Sequence, residues 1–385
     1  VLLALILCII ELAPKIIYKE GSAENHRHQH FENQNHQHFE NQNHQHFGFQ
    51  NVDIDTFTRL VKSGKYKFPL KRSQFTDEQI HTMMDNLRNY EPIYLKERPI
   101  IRGINMEPKF TLGTDGYLIV LNNEQEYLKY NMLSDMFIED LRKKCVLYGR
   151  QYSPYSYFMK RPRDLAIKVM RSFGAINDYN IIETMWNIKE AQECTNFRST
   201  NVIAMAKLLY GDKYKSITIL DPSSGWGDRL IAAIALDVEY TGVDPNTKLK
   251  DRYLQMCDFF NYKKGTFITE PFQTLHLDKQ YDFSMTSPPY FDLEVYSDEK
   301  TQSIHNMKSA DDWFHRFLVP YVDNMIKYTK AGGYIVIVIN QKNNENYVNK
   351  MVEHIINKGL TYYGIIAYGK SPTACQPMFV FKNTI

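Results

Sequence analysis

Four consecutive residues, Ser287, Pro288, Pro289 and Tyr290, carry the most specific chemistry in the chain. They close a β-prone run, YDFSMTS (281–287). Two prolines at a strand end donate no ladder hydrogen bonds, so they set a stiff turn whose carbonyls point outward. The Ser287 hydroxyl and the Pro288 carbonyl are then placed to accept both N–H bonds of an exocyclic amine. Accepting those hydrogens aims the nitrogen lone pair at an electrophile. Tyr290 is placed to stack on the ring that carries the amine. A turn that serves packing alone is the competing reading.

Two earlier strand ends offer a place for the electrophile. KSITIL (215–220) runs into Asp221-Pro222-Ser223-Ser224-Gly225-Trp226-Gly227-Asp228-Arg229. A turn of small residues between a strand and a helix lets a ligand approach the backbone, with Gly225 and Gly227 giving clearance. Leu230 stands where a dinucleotide turn of the form GxGxxG has its third glycine, which disfavours a pyrophosphate ligand. VEYTGVD (238–244) ends in Asp244, placed to accept hydrogen bonds from ribose hydroxyls. The alternative for Asp244 is a cap on the helix that follows Pro245.

Positioning these loops requires alternating strands and helices. Helical patterns cover 228–236, 246–260, 309–330 and 344–359. Strand patterns cover 265–270 and 333–340, and 360–369 with 376–382 form a closing pair. The pattern predicts an α/β fold, a doubly wound sheet with helices on both faces. Upstream, 76–90 reads as a helix with Thr76 at its N-cap, 133–145 as a second helix, and 116–121 as a strand after the turn at 113–115.

The chain has 385 residues, 43% of them hydrophobic, and a net charge of +2, so no global field announces a polyanionic partner. The charge is local. From Arg142 to Arg171 nine Lys or Arg stand against one acid, Asp164, interleaved with Tyr148, Tyr152, Tyr155, Tyr157 and Phe158. Cations for phosphate and rings for bases suit a nucleic-acid groove, with Arg150, Lys160, Arg161 and Arg163 as the leading candidates. A solvated helix face over core aromatics is the alternative.

The five cysteines form no CxxC pair and suggest neither a zinc site nor a disulfide framework, which fits a reducing, intracellular compartment. His276, His305, His315 and His354 read as structural or surface residues, and no metal is expected. VLLALILCII (1–10) is shorter than the roughly 20 residues a membrane span needs, so no stable membrane association is expected, though it resembles a signal-peptide core. Three eight-residue repeats (24–47) hold seven of the twelve histidines and read as a solvated, disordered tract.

Taken together, the glycine turn, Asp244 and Ser287-Pro288-Pro289-Tyr290 resemble the class I S-adenosylmethionine-dependent methyltransferases, specifically the amino-methyltransferases of DNA. The resemblance covers about 190–385. It implies a Rossmann-like methyltransferase sheet of seven strands with the last antiparallel, carrying an N-terminal α+β extension at 51–190. By resemblance, S-adenosyl-L-methionine is the cofactor. Asp221, Ser223, Gly225 and Gly227 would line its methionine part, with Thr195, Asn196 and Phe197 packing against that part. Asp244 would bind its ribose, and Glu270 or Phe272 its adenine. Ser287, Pro288, Pro289 and Tyr290 would hold the base. The stretch 291–303 resembles the version found in phages and large DNA viruses, with Glu294 and Tyr296 helping to hold the nucleic acid. Ser287 leans the target toward cytosine N4 over adenine N6. DNA is the expected partner, RNA the main rival, and a protein amide the weaker one. A non-catalytic nucleic-acid-binding protein that retains the fold is the alternative from another class.

Overall fold

The strands of the computed structural model begin with β1 (Ile93–Lys96), β2 (Tyr117–Val120) and the short β3 (Val146–Leu147). The motif-bearing half adds β4 (Thr218–Asp221), β5 (Glu239–Val243), β6 (Gly265–Ile268), β7 (Tyr281–Thr286) and the short β8 (Glu294–Val295). Last come β9 (Thr329–Ile337), β10 (Thr361–Gly369) and β11 (Gln376–Lys382). Nine of them form the central sheet, in the order β1-β2-β10-β11-β9-β7-β4-β5-β6. The structure describes residues 52–96, 117–120, 130–147, 149–291, 294–295, 299–340, 346–369 and 375–385. The apolar start, the histidine repeats, the turn at 113–115, Tyr148 and Tyr296 lie outside the described residues.

From β6 to β10 the sheet is the expected seven-strand, doubly wound arrangement. Among the described residues its reversed strand is β11, antiparallel to both β9 and β10. The chain winds outward from β4 through β5 to β6, then returns to place β7 on the other side of β4. That reversal makes β4 and β7 parallel neighbours, with Leu220 beside Ser284. Loops leaving the carboxyl ends of such a pair share one crevice, which is where open α/β sheets bind ligands. Beyond β10 the sheet gains β2, in parallel, and β1.

Helices cover both faces. On one lie α2 (Asp77–Arg88), α3 (Met132–Arg142), α7 (Ser199–Tyr210), α8 (Asp228–Leu236) and α9 (Lys250–Phe259). Thr76 caps α2 as expected and completes a capping box with Gln79. On the other face lie α10 (Ala310–Trp313), a π-turn at Phe314–Leu318, α11 (Val319–Tyr328) and α12 (Tyr347–Asn357). A smaller core joins α1 (Ile54–Lys62), α4 (Pro154–Lys160), α5 (Pro162–Phe173) and α6 (Asp178–Trp186) around Phe57, Phe158 and Leu165. No helix among the described residues is long and apolar enough to cross a membrane.

Candidate active site

The β4 turn is built on a buried ion pair. The Asp221 carboxylate accepts Arg229 Nε at 2.9 Å and the Tyr240 hydroxyl at 2.6 Å. Arg229 also donates to the Ser223 carbonyl, and its guanidinium packs over the Phe197 ring at 4.7 Å. Gly225 turns the chain at φ +53°, and its carbonyl accepts the Tyr253 hydroxyl at 2.6 Å. Gly227 has φ +82°, a backbone conformation that strains any residue with a side chain, and a Cβ there would also press on Met256 Cε at 2.9 Å.

Asp244, at the end of β5, reaches back to this turn. One carboxylate oxygen accepts Gly225 N–H at 2.9 Å and the other accepts Asn246 N–H at 3.0 Å. Burial pushes its carboxyl up to about 6, while those two N–H groups pull the other way. Each oxygen keeps a lone pair for a further donor. The helix after Pro245 starts at Lys250 with Leu249 at its N-cap, so Asp244 does not cap it. Asp244 holds the glycine turn instead, which leaves the ligand-acceptor reading open.

The Ser287–Tyr290 turn leaves β7 immediately beside the β4 turn. The Tyr321 phenol on α11 ties the two together, at 2.7 Å from Ser223 Oγ and 2.9 Å from Thr286 Oγ1. Downstream, β8 pairs antiparallel with β3, the strand that precedes the basic helices. Glu299 then accepts the Thr247 hydroxyl at 2.8 Å, which anchors the returning segment over the Asp244 loop.

One cavity of about 540 Å³ opens among these loops. Its wall brings together Thr195, Asn196, Phe197, Ser223, Gly225, Asp244 and Phe272 with Ser287, Pro288, Pro289 and Tyr290. Three expected residues stay outside that wall. Asp221 is fully buried beneath the turn, because its charge is taken up by Arg229. Gly227 serves the packing of α8 against Met256. Glu270 is exposed, and its neighbour Phe272 takes the wall position instead. Asn196 turns its amide inward, to Asp135 at 3.2 Å and Ser134 at 3.3 Å.

The basic segment divides. Arg142 is 2% exposed, doubly bonded to Asp135, and bonded to Glu193 at 3.0 Å. Lys143 is buried against Glu193. Burial opposes the Glu193 charge, but Arg142 and Lys143 overcome it and hold the carboxyl down to about 2. These two cations belong to the core and leave the candidate groove. Tyr157 and Phe158 are buried as well, so they follow the packing alternative. Arg150 bonds Gln192 at 2.6 Å. Lys160, Arg161 and Arg163 are exposed, Arg161 pairing with Asp164 at 2.7 Å and Arg163 with Asp55. Glu294 enters the β8 pairing.

Sequence reasoning missed Asp228, Arg229, Arg198, Asn340, Tyr321 and Tyr368, which also line the cavity. Asp228 and Arg229 stand inside the turn after β4, where an adjacent acid and cation at the start of a helix were the available signal. Tyr321 had no local signal, because its partners are 98 and 35 residues away.

No protein-family model matches the chain, and no curated protein matches it. Several solved structures are similar to parts of it. A class I S-adenosylmethionine-dependent methyltransferase structure from Listeria monocytogenes is 15% identical, covers 80% of this chain and 88% of its own, and has a TM-score of 0.40. The N-methyltransferase NodS from Bradyrhizobium japonicum is 11% identical over 49% of this chain and 94% of its own, with a TM-score of 0.33. Magnesium protoporphyrin IX methyltransferase from Synechocystis is 11% identical over 59% of this chain and 93% of its own, with a TM-score of 0.34.

Proposed function

We propose that the chain is an S-adenosylmethionine-dependent methyltransferase acting on an exocyclic amine of a DNA base, cytosine N4 or adenine N6, with a lean to cytosine N4. The observation that supports this most is the shared cavity: the β4 turn and Asp244 stand beside Ser287–Tyr290 at the point where the winding reverses.

The donor set fits the cofactor. Asp244 offers carboxylate lone pairs to ribose hydroxyls, Phe272 an aromatic face to adenine, and Phe197 with the Ser223–Gly225 backbone a wall for the methionine part. Bound there, S-adenosylmethionine supplies a methyl group on a positively charged sulfur. The chain's own residues position the acceptor. Ser287 Oγ and the Pro288 carbonyl accept hydrogen bonds from the amine, Tyr290 stacks on the ring, and the surplus proton on the methylated nitrogen leaves to solvent after transfer. Positioning of this kind lowers the barrier without covalent catalysis. A duplex base must leave its stack to enter, at a cost of about a few kcal/mol, offset by stacking and hydrogen bonds in the cavity. The β3–β8 pairing joins the basic helices α4 and α5 to the segment after Tyr290. Lys160, Arg161 and Arg163 are therefore assigned, together with Arg150, to the backbone of the nucleic acid.

The test is incubation of the full chain with labelled S-adenosylmethionine and unmethylated DNA or RNA, followed by digestion and mass identification of the nucleoside. N4-methylcytosine or N6-methyladenine from DNA is expected. Label confined to RNA replaces the substrate. Cofactor binding without label on either polymer overturns the proposed activity and favours a non-catalytic binder.

A further inference from the structure

Asp228 opens α8 and is 2% exposed, yet no Lys or Arg bonds its carboxylate among the described residues. Instead, one oxygen accepts the Ser134 hydroxyl at 2.6 Å and the Asn196 amide at 3.4 Å. The other accepts the backbone N–H of Phe197 at 3.2 Å. The Asp228 carbonyl accepts the Ser199 hydroxyl at 2.8 Å, so the same residue holds both ends of the 197–199 segment. Asp228, Asn196 and Phe197 all line the cavity. Ser134 comes from α3, in the N-terminal extension. A helix outside the motif-bearing half therefore reaches the cavity wall, through the Asp228 carboxylate and through the bonds of Ser134 and Asp135 to Asn196.

A buried carboxylate without a cationic partner is costly, so its retention needs a reason. Phe197 supplies one. Arg229 holds its ring from one side, and Asp228 holds its backbone from the other. The N–H bond to Asp228 is stronger when the acceptor is ionised. An ionised Asp228 also places negative charge in the wall of a cavity assigned to a cationic ligand.

We infer that Asp228, supported by Ser134, is a positioning residue that clamps the 196–197 segment for cofactor binding and does so best when ionised. The inference rests on the S-adenosylmethionine reading above. Burial pushes the Asp228 carboxyl up to about 7, with the Ser134 hydroxyl acting against that rise. Asp135 on α3 raises it further, while Arg142 on α3 and Arg229 on α8 lower it. The clamp therefore changes charge near neutral pH.

The experiment is calorimetric titration of the full chain with S-adenosylmethionine and S-adenosylhomocysteine across the range from mildly acidic to mildly basic pH. Unaltered protein should bind S-adenosylmethionine several-fold more tightly as pH rises through about 7. The change should be smaller for S-adenosylhomocysteine, whose sulfur is neutral. Asp228→Asn should weaken binding about tenfold, a loss of about 1.4 kcal/mol. It should also abolish the step near 7 and leave any lower step from Asp244. Ser134→Ala should move the step to higher pH, because it removes the hydroxyl that favours ionisation. This milder change keeps the inference testable even if Asp228→Asn melts early. Binding and pH profile unchanged in both variants overturn the inference alone. Absence of binding by the unaltered chain at every pH overturns the cofactor reading, and the inference with it.

Discussion

The phenol oxygen of Tyr321 lies 2.7 Å from the hydroxyl of Ser223, and on its other side it meets Thr286 at 2.9 Å. One side chain on α11 thus spans the ends of β4 and β7. The turn assigned to the cofactor and the turn assigned to the amine cannot move apart without breaking one of these bonds.

Tyr321→Phe keeps the ring and removes the bridge. Thr286 is fully buried, so its hydroxyl would lose a partner, at a cost of about 1–3 kcal/mol. Denaturant unfolding should show that loss, and cofactor titration should show weaker binding. Wild-type values for both would mean that the bridge positions nothing.

Tyr290→Ala tests the acceptor side. Base stacking is worth about 1–3 kcal/mol. The variant should lose kcat/KM for nucleic acid by about ten- to a hundredfold and keep its cofactor Kd. Collapse of cofactor binding would move Tyr290 out of the acceptor role.

Changing Lys160, Arg161 and Arg163 together to Gln should weaken DNA binding at low salt. Every cation that no longer neutralises a phosphate should reduce the slope of log K against log salt by about 0.9. The ion pairs of Arg161 and Arg163 must open for this surface to work. An unchanged slope removes α4 and α5 from the interface.

Arg142→Ala separates core charge from surface charge. It leaves Asp135 and Glu193 buried without their shared guanidinium, at a cost of about 3–5 kcal/mol. Urea unfolding is the readout. A loss below about 1 kcal/mol would return Arg142 to the candidate groove.

The pH dependence of stability has a definite sign. The Asp228 and Asp244 carboxyls are raised by burial to about 7 and about 6, against an ordinary value of 3.8. The folded chain holds those protons more tightly than the unfolded chain. Stability therefore falls as pH rises from about 4 to about 7, and levels off above that. Glu193 acts oppositely: it is lowered from 4.5 to about 2, so its contribution is present above about 4.5 and disappears as pH falls through about 2. Urea unfolding at about pH 5 and about pH 8 should show the chain less stable at the higher value, and Asp228→Asn should shrink that difference. Equal stability at the two pH values would contradict the burial of these acids.

Most of the architecture was legible without coordinates. Apolar periodicity is a local property, so the motif-bearing strands and helices appeared close to their observed positions, and α8 matched its expected span, 228–236. The three turns assigned to the site were legible for the same reason, because Gly225, Asp244 and Pro288 mark strand ends whatever they pack against. Parallel β4 and β7 then had to set two of those turns side by side.

The tertiary structure alone decided which charges are surface and which are core. A sequence shows that Arg142 and Lys143 are cations, but not that Asp135 and Glu193, the latter about fifty residues away, together pair both in the interior. It shows Asp221 at a turn, but not that Arg229 occupies it. Strand β3 finds β8 across more than a hundred residues, and Ser134 finds Asp228 across 94. Such pairings depend on burial and on geometry between distant segments. Burial makes an unpaired polar group costly, and that cost is what selects the partner.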